Sequence, residues 1–353
     1  MLKILPYLKL CVEKNGSDLF FTANAPAQIK IEGELHPIGK TSLTREFIKE
    51  LAYSILTDDQ QAHLQQHLEI DLATEAGGLG RFRVNVFHQR GALGMVMRYV
   101  RAQVPRLDEL YGMPPALKDM ILQKRGLVLM VGATGSGKST TLAAMINHRN
   151  ENQSGHILTI EDPIEFIHPN KRSILNQREV GQDTVSYERA LKSSLREAPD
   201  VILVGEVRTR ETMDACIQLA NTGHLAISTL HANNAYQALQ RIVNLYPDSL
   251  REQLYMDLSL TLRAIVSQRL VRQHDGRRCA AIEVMVNTPF IQDLILHKRI
   301  DELREAMDQS SDKGMQTFDQ SLLKLYRDNV ISLDEALTNA DSRTNLEAKI
   351  NFG

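Results

Sequence analysis

Residues 127–140 read LVLMVGATGSGKST, and this stretch decides the fold. Leu127 to Val131 form a short, continuous apolar run rich in β-formers, which predicts a buried strand. The residues that follow fit G-x-x-x-x-G-K-[ST], the phosphate-binding P-loop. The cradle runs through Gly132, Ala133, Thr134, Gly135, Ser136 and Gly137, with glycines where the backbone must bend so that successive N–H groups face one anion. Lys138 supplies a point charge for the β- and γ-phosphates of a nucleotide, and Ser139 and Thr140 bring hydroxyls, that of Ser139 suited to Mg²⁺. Leu142, Met145 and Ile146 recur at helical spacing, so a helix begins here and adds the attraction of its N-terminus for phosphate.

The rest of the chain is consistent with a P-loop enzyme of ordinary composition. Its 353 residues predict two domains, and 43% apolar with 24% charged residues is typical of a globular protein. A net charge of −2 and the lack of a basic, aromatic-rich stretch argue against a nucleic-acid partner. The three cysteines, Cys11, Cys216 and Cys279, lie far apart without C-x-x-C spacing, which predicts a reducing compartment and no zinc site. No apolar run approaches the length of a transmembrane helix, and the N-terminus has no signal-peptide pattern, so a cytoplasmic location is expected.

Residues 1–100 read as a small α+β domain. A short helix ends near Asn15-Gly16, a strand covers 18–22, a hairpin 27–38, and one or two helices 44–67, with Thr57 and Gln60 as a capping box. In GRFRVNVFHQRGALGMVMRYV (80–100), Phe82, Val84 and Val86 alternate with Arg81, Arg83 and Asn85, giving a strand with an apolar and a cationic face. Gly91 and Gly94 allow a turn, and Met95 to Val100 return with Arg98. Arginine on such a face is suited to neutralising phosphate across a subunit boundary. The prolines of 101–115 predict a linker. Residues 116–353 read as an α/β domain with a mostly parallel sheet, its strands at 127–131, 157–160, 201–204, 225–229 and 281–286, and a helical portion from about 289.

Three loops after those strands carry candidate chemistry. Glu161 and Glu165 flank Asp162-Pro163-Ile164, and acidic groups beside a triphosphate suggest service to Mg²⁺ or water. Glu206 follows the strand 201–204, but Gly205 stands where the usual pair has its first acid, so Glu206 suits activation of water better than direct metal ligation. His231 follows the strand 225–229 at the same sheet edge, where it could sense a γ-phosphate. Cys216 adjoins the buried stripe of the helix expected at 209–221 and reads as inert packing.

Together GATGSGKST (132–140), ILTIEDPIEFIH (157–168), PDVILVGEVRTRET (199–212) and TGHLAISTLHANN (222–234) resemble the Walker A, Asp box, Walker B and His box of the secretion ATPases. Within them the chain is most similar to the type IV pilus retraction ATPases of the PilT/PilU type. NGSDLFF (15–21), RFRVNVF and SQRLV (267–271) carry that likeness along the chain, and GMQTFDQSLLKLY (314–326) leans it toward PilU. The resemblance implies a PAS-like N-terminal domain, a RecA-like ATPase domain and a homo-hexameric ring with ATP at subunit boundaries. It implies that Lys138 and Ser139 bind phosphates and Mg²⁺, that Glu206 polarises the attacking water, and that Glu161 and Glu165 shape the metal site. It also implies that His231 reads the γ-phosphate, that Arg83 and Arg98 reach ATP from the N-terminal domain, and that Arg208 and Arg210 are lesser candidates. The scattered cysteines lack the zinc motif usual in extension ATPases, which favours retraction. PFIQDLILHKRI (289–300) diverges from the matching retraction segment of PilT, which suggests an accessory role beside a PilT-type paralogue. The implied partner is an inner-membrane pilus platform protein, with this chain peripheral to the membrane at the pilus base. An extension or secretion ATPase and a nucleotide-binding scaffold with little hydrolysis stay open as alternatives.

Overall fold

The computed structural model describes residues 3–31, 33–100, 104–310 and 314–352. The chain divides into two compact units, Met1–Gln103 and Val104–Gly353.

The first unit is a six-stranded antiparallel sheet. Its strands are β1 Asp18–Phe21, β2 Ala27–Ile31, β3 Glu34–Ile38, β4 Glu69–Ala76, β5 Gly80–Gln89 and β6 Ala92–Val100, in the order β3-β2-β1-β6-β5-β4. The alternation read from the sequence is kept: Phe82, Val84 and Val86 are fully buried, packed in one cluster with Leu8, Ile48, Leu51, Met95 and Met97, while Arg83 and Asn85 lie on the half-exposed face. Thr57 and Gln60 form the reciprocal capping box of the helix Asp58–His67. The β5–β6 turn is tighter than the glycines suggest. Arg90 and Gly91 both take positive φ between the paired Gln89 and Ala92, so Gly94 belongs to the strand instead of the turn.

The second unit holds a seven-stranded sheet of order β13-β12-β7-β11-β10-β8-β9. These strands are β7 Gly126–Val131, β8 Gly155–Glu161, β9 Ser173–Glu179, β10 Val201–Glu206, β11 Leu225–Leu230, β12 Leu262–Arg272 and β13 Arg278–Val286. Every neighbouring pair is parallel except β12 with β13. Strand β7 is buried along its whole length, as its unbroken apolar run requires of a strand covered on both faces. The two faces carry separate apolar clusters. One holds Leu129, Ile202, Met213 and Leu239, the other Met130, Leu142, Leu203 and Ile282. A third cluster, built on Phe318, Leu322 and Leu346, packs C-terminal helices against Val271, Cys279 and Ala281 of β12 and β13.

Two segments differ from the sequence reading. Strands β9 and β12 are absent from the expected set, because β9 is a polar sheet-edge strand and β12 carries buried Ser267 and Gln268 in its middle. The stretch expected as a linker is packed where it is described. Residues 101–103 lie outside the described residues, but Leu107 is buried in the cluster with Leu117 and Leu142. The buried guanidinium of Arg149 ties down the segment that follows by donating to the carbonyls of Ile121 and Gln123, both at 2.9 Å.

Candidate functional site

The parallel order brings the loops after β7, β8, β10 and β11 to one edge of the sheet, the edge at which open α/β sheets bind ligands. The first is the P-loop. The Lys138 ammonium sits over the loop, donating to the carbonyls of Gly132 at 2.7 Å and Ala133 at 2.9 Å. Burial pulls its pKa below the ordinary lysine range, and the charges of Glu206 and Glu165 pull it back. Ser139 and Thr140 lie half-buried in the first turn of the helix Lys138–Asn152.

The glycines leave a cradle that a side chain would fill. A Cβ on Gly132 would stand 2.5 Å from Ser136 Oγ and 2.6 Å from the Gln268 carbonyl oxygen. Gly137 has a φ of +87°, and a Cβ there would meet Gln268 Nε2 at 2.7 Å. Ser136 Oγ is buried and has no hydrogen-bond partner among the described residues. A buried, unsatisfied hydroxyl inside a glycine cradle, above a helix N-terminus, fits the phosphate chain of a nucleotide. Gln268, which the sequence did not single out, holds the loop in place. Its Nε2 donates to the Ser136 carbonyl and its Oε1 accepts from Thr141 Oγ1, both at 2.8 Å.

Glu206 ends β10, and its position depends on Gly205. The pairing of β10 with β11 slips by one between Val204 and Glu206, so Gly205 is the extra residue of a β-bulge. Ile202 and Val204 point into the core, and the bulge keeps Glu206 from following them. No side chain fits at Gly205, where a Cβ would lie 2.3 Å from the Tyr187 hydroxyl oxygen and 3.3 Å from the Ile160 carbonyl oxygen. Tyr187 would have to shift to admit a side chain there, so the packing favours glycine where the usual pair has its first acid. Burial, together with Asp162 and Glu161, raises the Tyr187 phenol above the tyrosine range, so it stays protonated.

The Glu206 carboxylate is shielded, with its side chain 17% exposed, and both oxygens are engaged. Oε2 accepts from Arg208 at 2.8 Å, and Oε1 lies 3.3 Å from His231 Nε2. Thus the sequence-predicted Lys138, Glu206 and His231 do converge, and Arg208 joins them. Arg210 instead pairs with Asp214 on its own helix at 3.3 Å. Glu161 accepts from Thr159 Oγ1 at 2.7 Å and from Gln177 Nε2 at 3.3 Å. Burial pushes its carboxyl above the usual glutamate range. Glu165 is exposed.

Arg83 and Arg98 belong to the first unit, where they face each other across β5 and β6. They differ in freedom. Arg98 Nε donates to the buried carboxylate of Asp18 at 2.8 Å, a pairing made between strands 80 residues apart, whereas Arg83 makes no ion pair among the described residues.

Two clefts adjoin the P-loop, and Ala133 and Asn233 line both. One, of about 340 Å³, runs from the glycine loop to Gln268, Arg269, Leu270 and Arg278. The other, of about 470 Å³, lies between His231 and the polar face of the helix Ala235–Asn244. Among the described residues no cluster of three or more His, Cys, Asp or Glu could hold a metal by itself. The Ser139 hydroxyl and the Glu161 and Glu165 carboxylates are hard oxygen donors, which fit a cation held largely by water and substrate phosphates. Among the described residues no helix is long and apolar enough to cross a membrane.

Residues 4–335 match the family described as Type II/IV secretion system protein. The chain is similar to the Type IV pilus ATPase PilU of Pseudomonas aeruginosa, with 50% identity over 98% of this chain and 91% of that one. Against the PilT retraction ATPase of the same organism it has 40% identity over 94% of this chain and 96% of that one. Among solved structures, the pilus retraction motor PilT with bound ADP superposes with a TM-score of 0.91 at 38% identity, covering 98% of each chain.

Proposed function

The chain belongs to the Type II/IV secretion system protein family, as a P-loop ATPase of the PilT/PilU type, and from that premise we propose that it is the ATP-hydrolysing subunit of a pilus-retracting motor. The observation that carries the catalytic reading is the convergence of Lys138, Glu206 and His231 on one sheet edge beside the glycine cradle. ATP lays its phosphates along Gly132 to Ser139, and Lys138 turns from the loop carbonyls to the β- and γ-phosphates. Glu206 orients the attacking water and accepts its proton as the water oxygen bonds to the γ-phosphorus and the bond to ADP breaks. His231 reads the presence of the γ-phosphate, a role supported by its distance of 3.3 Å from Glu206. Ser139, with Glu161 and Glu165 acting through water, would hold Mg²⁺, which would supply positive charge to the phosphates.

The motor works as a homo-hexamer, with Arg83 from the N-terminal domain of an adjacent subunit completing the phosphate contacts. Arg98 does so only by leaving Asp18, so Arg83 is the stronger finger. The ring lies on the cytoplasmic face of the inner membrane and acts on a pilus platform protein. The divergent segment 289–300 favours an accessory position beside a PilT-type paralogue: it forms the helix Pro289–Leu296, whose Ile291, Leu294 and Ile295 are buried while Phe290 is exposed. A retraction assay tests this. In cells lacking this chain, wild type restores retraction force and Lys138→Ala does not. Full restoration by Lys138→Ala would leave only a scaffold.

A further inference from the structure

Strand β12 carries three consecutive polar residues, Ser267, Gln268 and Arg269, of which Ser267 is fully buried and Gln268 2% exposed. Buried polar groups are costly unless hydrogen-bonded, and all three are bonded: Ser267 to Glu283 of β13, Gln268 to the P-loop, and Arg269 to the His231–Asn233 loop and the C-terminal segment. Strand alternation sends Gln268 to one face of the sheet and Ser267 with Arg269 to the other. On its face, Gln268 joins the Ser136 carbonyl to the Thr141 hydroxyl and so fixes the P-loop.

On the opposite face, Ser267 Oγ donates to Glu283 Oε1 at 2.9 Å. The same oxygen accepts at 2.8 Å from the N–H of Ala235, which starts the helix directly after the His231 loop. Arg269 reaches further. Its guanidinium donates to the Asn233 carbonyl in that loop at 3.4 Å, and in the other direction to the Asn339 carbonyl at 2.8 Å and to Asp341 at 2.5 Å. Its plane also lies 3.9 Å from the ring centre of Phe318. One side chain therefore touches the loop beside His231, the end of the helix Leu333–Asn339 and the start of the helix Phe318–Arg327. The Arg269–Asp341 pair is largely shielded, with side chains 25% and 14% exposed, so its geometry is held firmly. A planar fork that stacks and donates to three acceptors cannot be replaced by an ammonium.

We propose that Ser267-Gln268-Arg269 is a positioning element of the ATPase, in which Gln268 fixes the P-loop and Arg269 transmits the state of the His231–Asn233 loop to the C-terminal helices 318–339. The inference rests on the ATPase reading above. It gives the C-terminal layer a defined input: a shift of the Asn233 carbonyl changes a contact shared with Asn339 and Asp341, through a continuous chain of hydrogen bonds.

The test compares full-length wild type, Arg269→Lys and Asp341→Asn by hydrogen–deuterium exchange in the presence of ADP or of the β,γ-imido analogue of ATP. Nucleotide dissociation constants and steady-state kinetics are measured beside it. In wild type, protection of helices 318–339 differs between the two nucleotides. In both variants nucleotide affinity stays within about threefold, kcat falls about tenfold at similar KM, and the difference in protection disappears. Asp341→Asn removes the charge of the same contact at its far end without altering β12, which separates lost coupling from local damage at β12. A difference that persists in both variants overturns the inference, as does a wild type that binds both nucleotides with identical protection of these helices. A wild type that binds neither nucleotide overturns the ATPase reading, and this inference with it.

Discussion

Gly205→Ala is the substitution whose cost follows most directly from the structure. The new methyl would stand 2.3 Å from the Tyr187 hydroxyl oxygen, 3.3 Å from that ring's Cζ and 3.3 Å from the Ile160 carbonyl oxygen. The first distance is far inside van der Waals contact, so Tyr187 or the bulge must move. Overpacking of this kind costs about 2 kcal/mol, which corresponds to a fall of roughly 6 °C in the melting transition of a unit this size. Tyr187→Phe removes the offending oxygen and leaves only the two 3.3 Å contacts, which small shifts relieve. In that background the same Gly205→Ala change should cost less than about 1 kcal/mol, a coupling of about 1–2 kcal/mol between the two positions. Calorimetry of wild type, the two single variants and the double variant closes the cycle. Because the bulge also aims Glu206, the single variant loses ATP turnover and the double variant regains part of it. An equal cost for Gly205→Ala in both backgrounds would refute the argument that Tyr187 excludes a side chain, and with it the explanation of the missing acid.

Other outcomes follow from the site and the core. Lys138→Ala should abolish nucleotide binding or turnover, checked with a fluorescent ATP analogue and a phosphate-release assay; an unchanged turnover number would remove the P-loop assignment. Glu283 is buried, and desolvation lifts its carboxyl to about 7, with Asp341 adding to the rise and the Ala235 N–H, Ser267 hydroxyl and Arg269 opposing it. A carboxyl raised on folding stabilises most below its unfolded pKa, and that stability is lost as pH climbs from about 4.5 through about 7. Glu283→Gln should therefore flatten the pH dependence of stability over this window, gaining up to about 3 kcal/mol relative to wild type at pH 8, as read from denaturant titrations. Cys11, Cys216 and Cys279 are all buried, and burial lifts their thiols to about 11, 12 and 11, so a polar alkylating reagent at pH 7.5 should label none of them in the native protein.

What the sequence made legible was local. The P-loop, the alternation of β5, the capping box of Thr57 and the tip positions of Glu206 and His231 are all written in short stretches whose periodicity or turn chemistry acts on its own. What it hid depends on partners far along the chain. Asp18 and Arg98 meet only because β1 lies beside β6. Gln268 reads as a polar interruption in an apolar run until β12 is placed next to β7, where its amide finds the P-loop. Gly205 read as a missing acid; the bulge and the Tyr187 hydroxyl turn it into a requirement. Ser332 and Glu335 have the spacing of a capping box, but only half of one forms. Ser332 Oγ accepts from the Glu335 N–H, while the Glu335 carboxylate turns to the Arg272 N–H of β12 at 2.9 Å. A tertiary donor has there displaced a local one. A polar residue inside an otherwise apolar strand, as at Ser267 and Gln268, is the one sequence signal that could have pointed to the hidden half of the site.

The proposed mechanism depends on the role of Glu206 in activating water for ATP hydrolysis. It is tested most directly by the steady-state ATPase rate of the purified protein with and without Mg²⁺, beside Glu206→Gln. With Glu206 in that role, the rate depends on Mg²⁺ and falls by roughly 10²–10⁴-fold in Glu206→Gln while ATP binding persists. A Glu206→Gln protein that turns over ATP at the wild-type rate would contradict it.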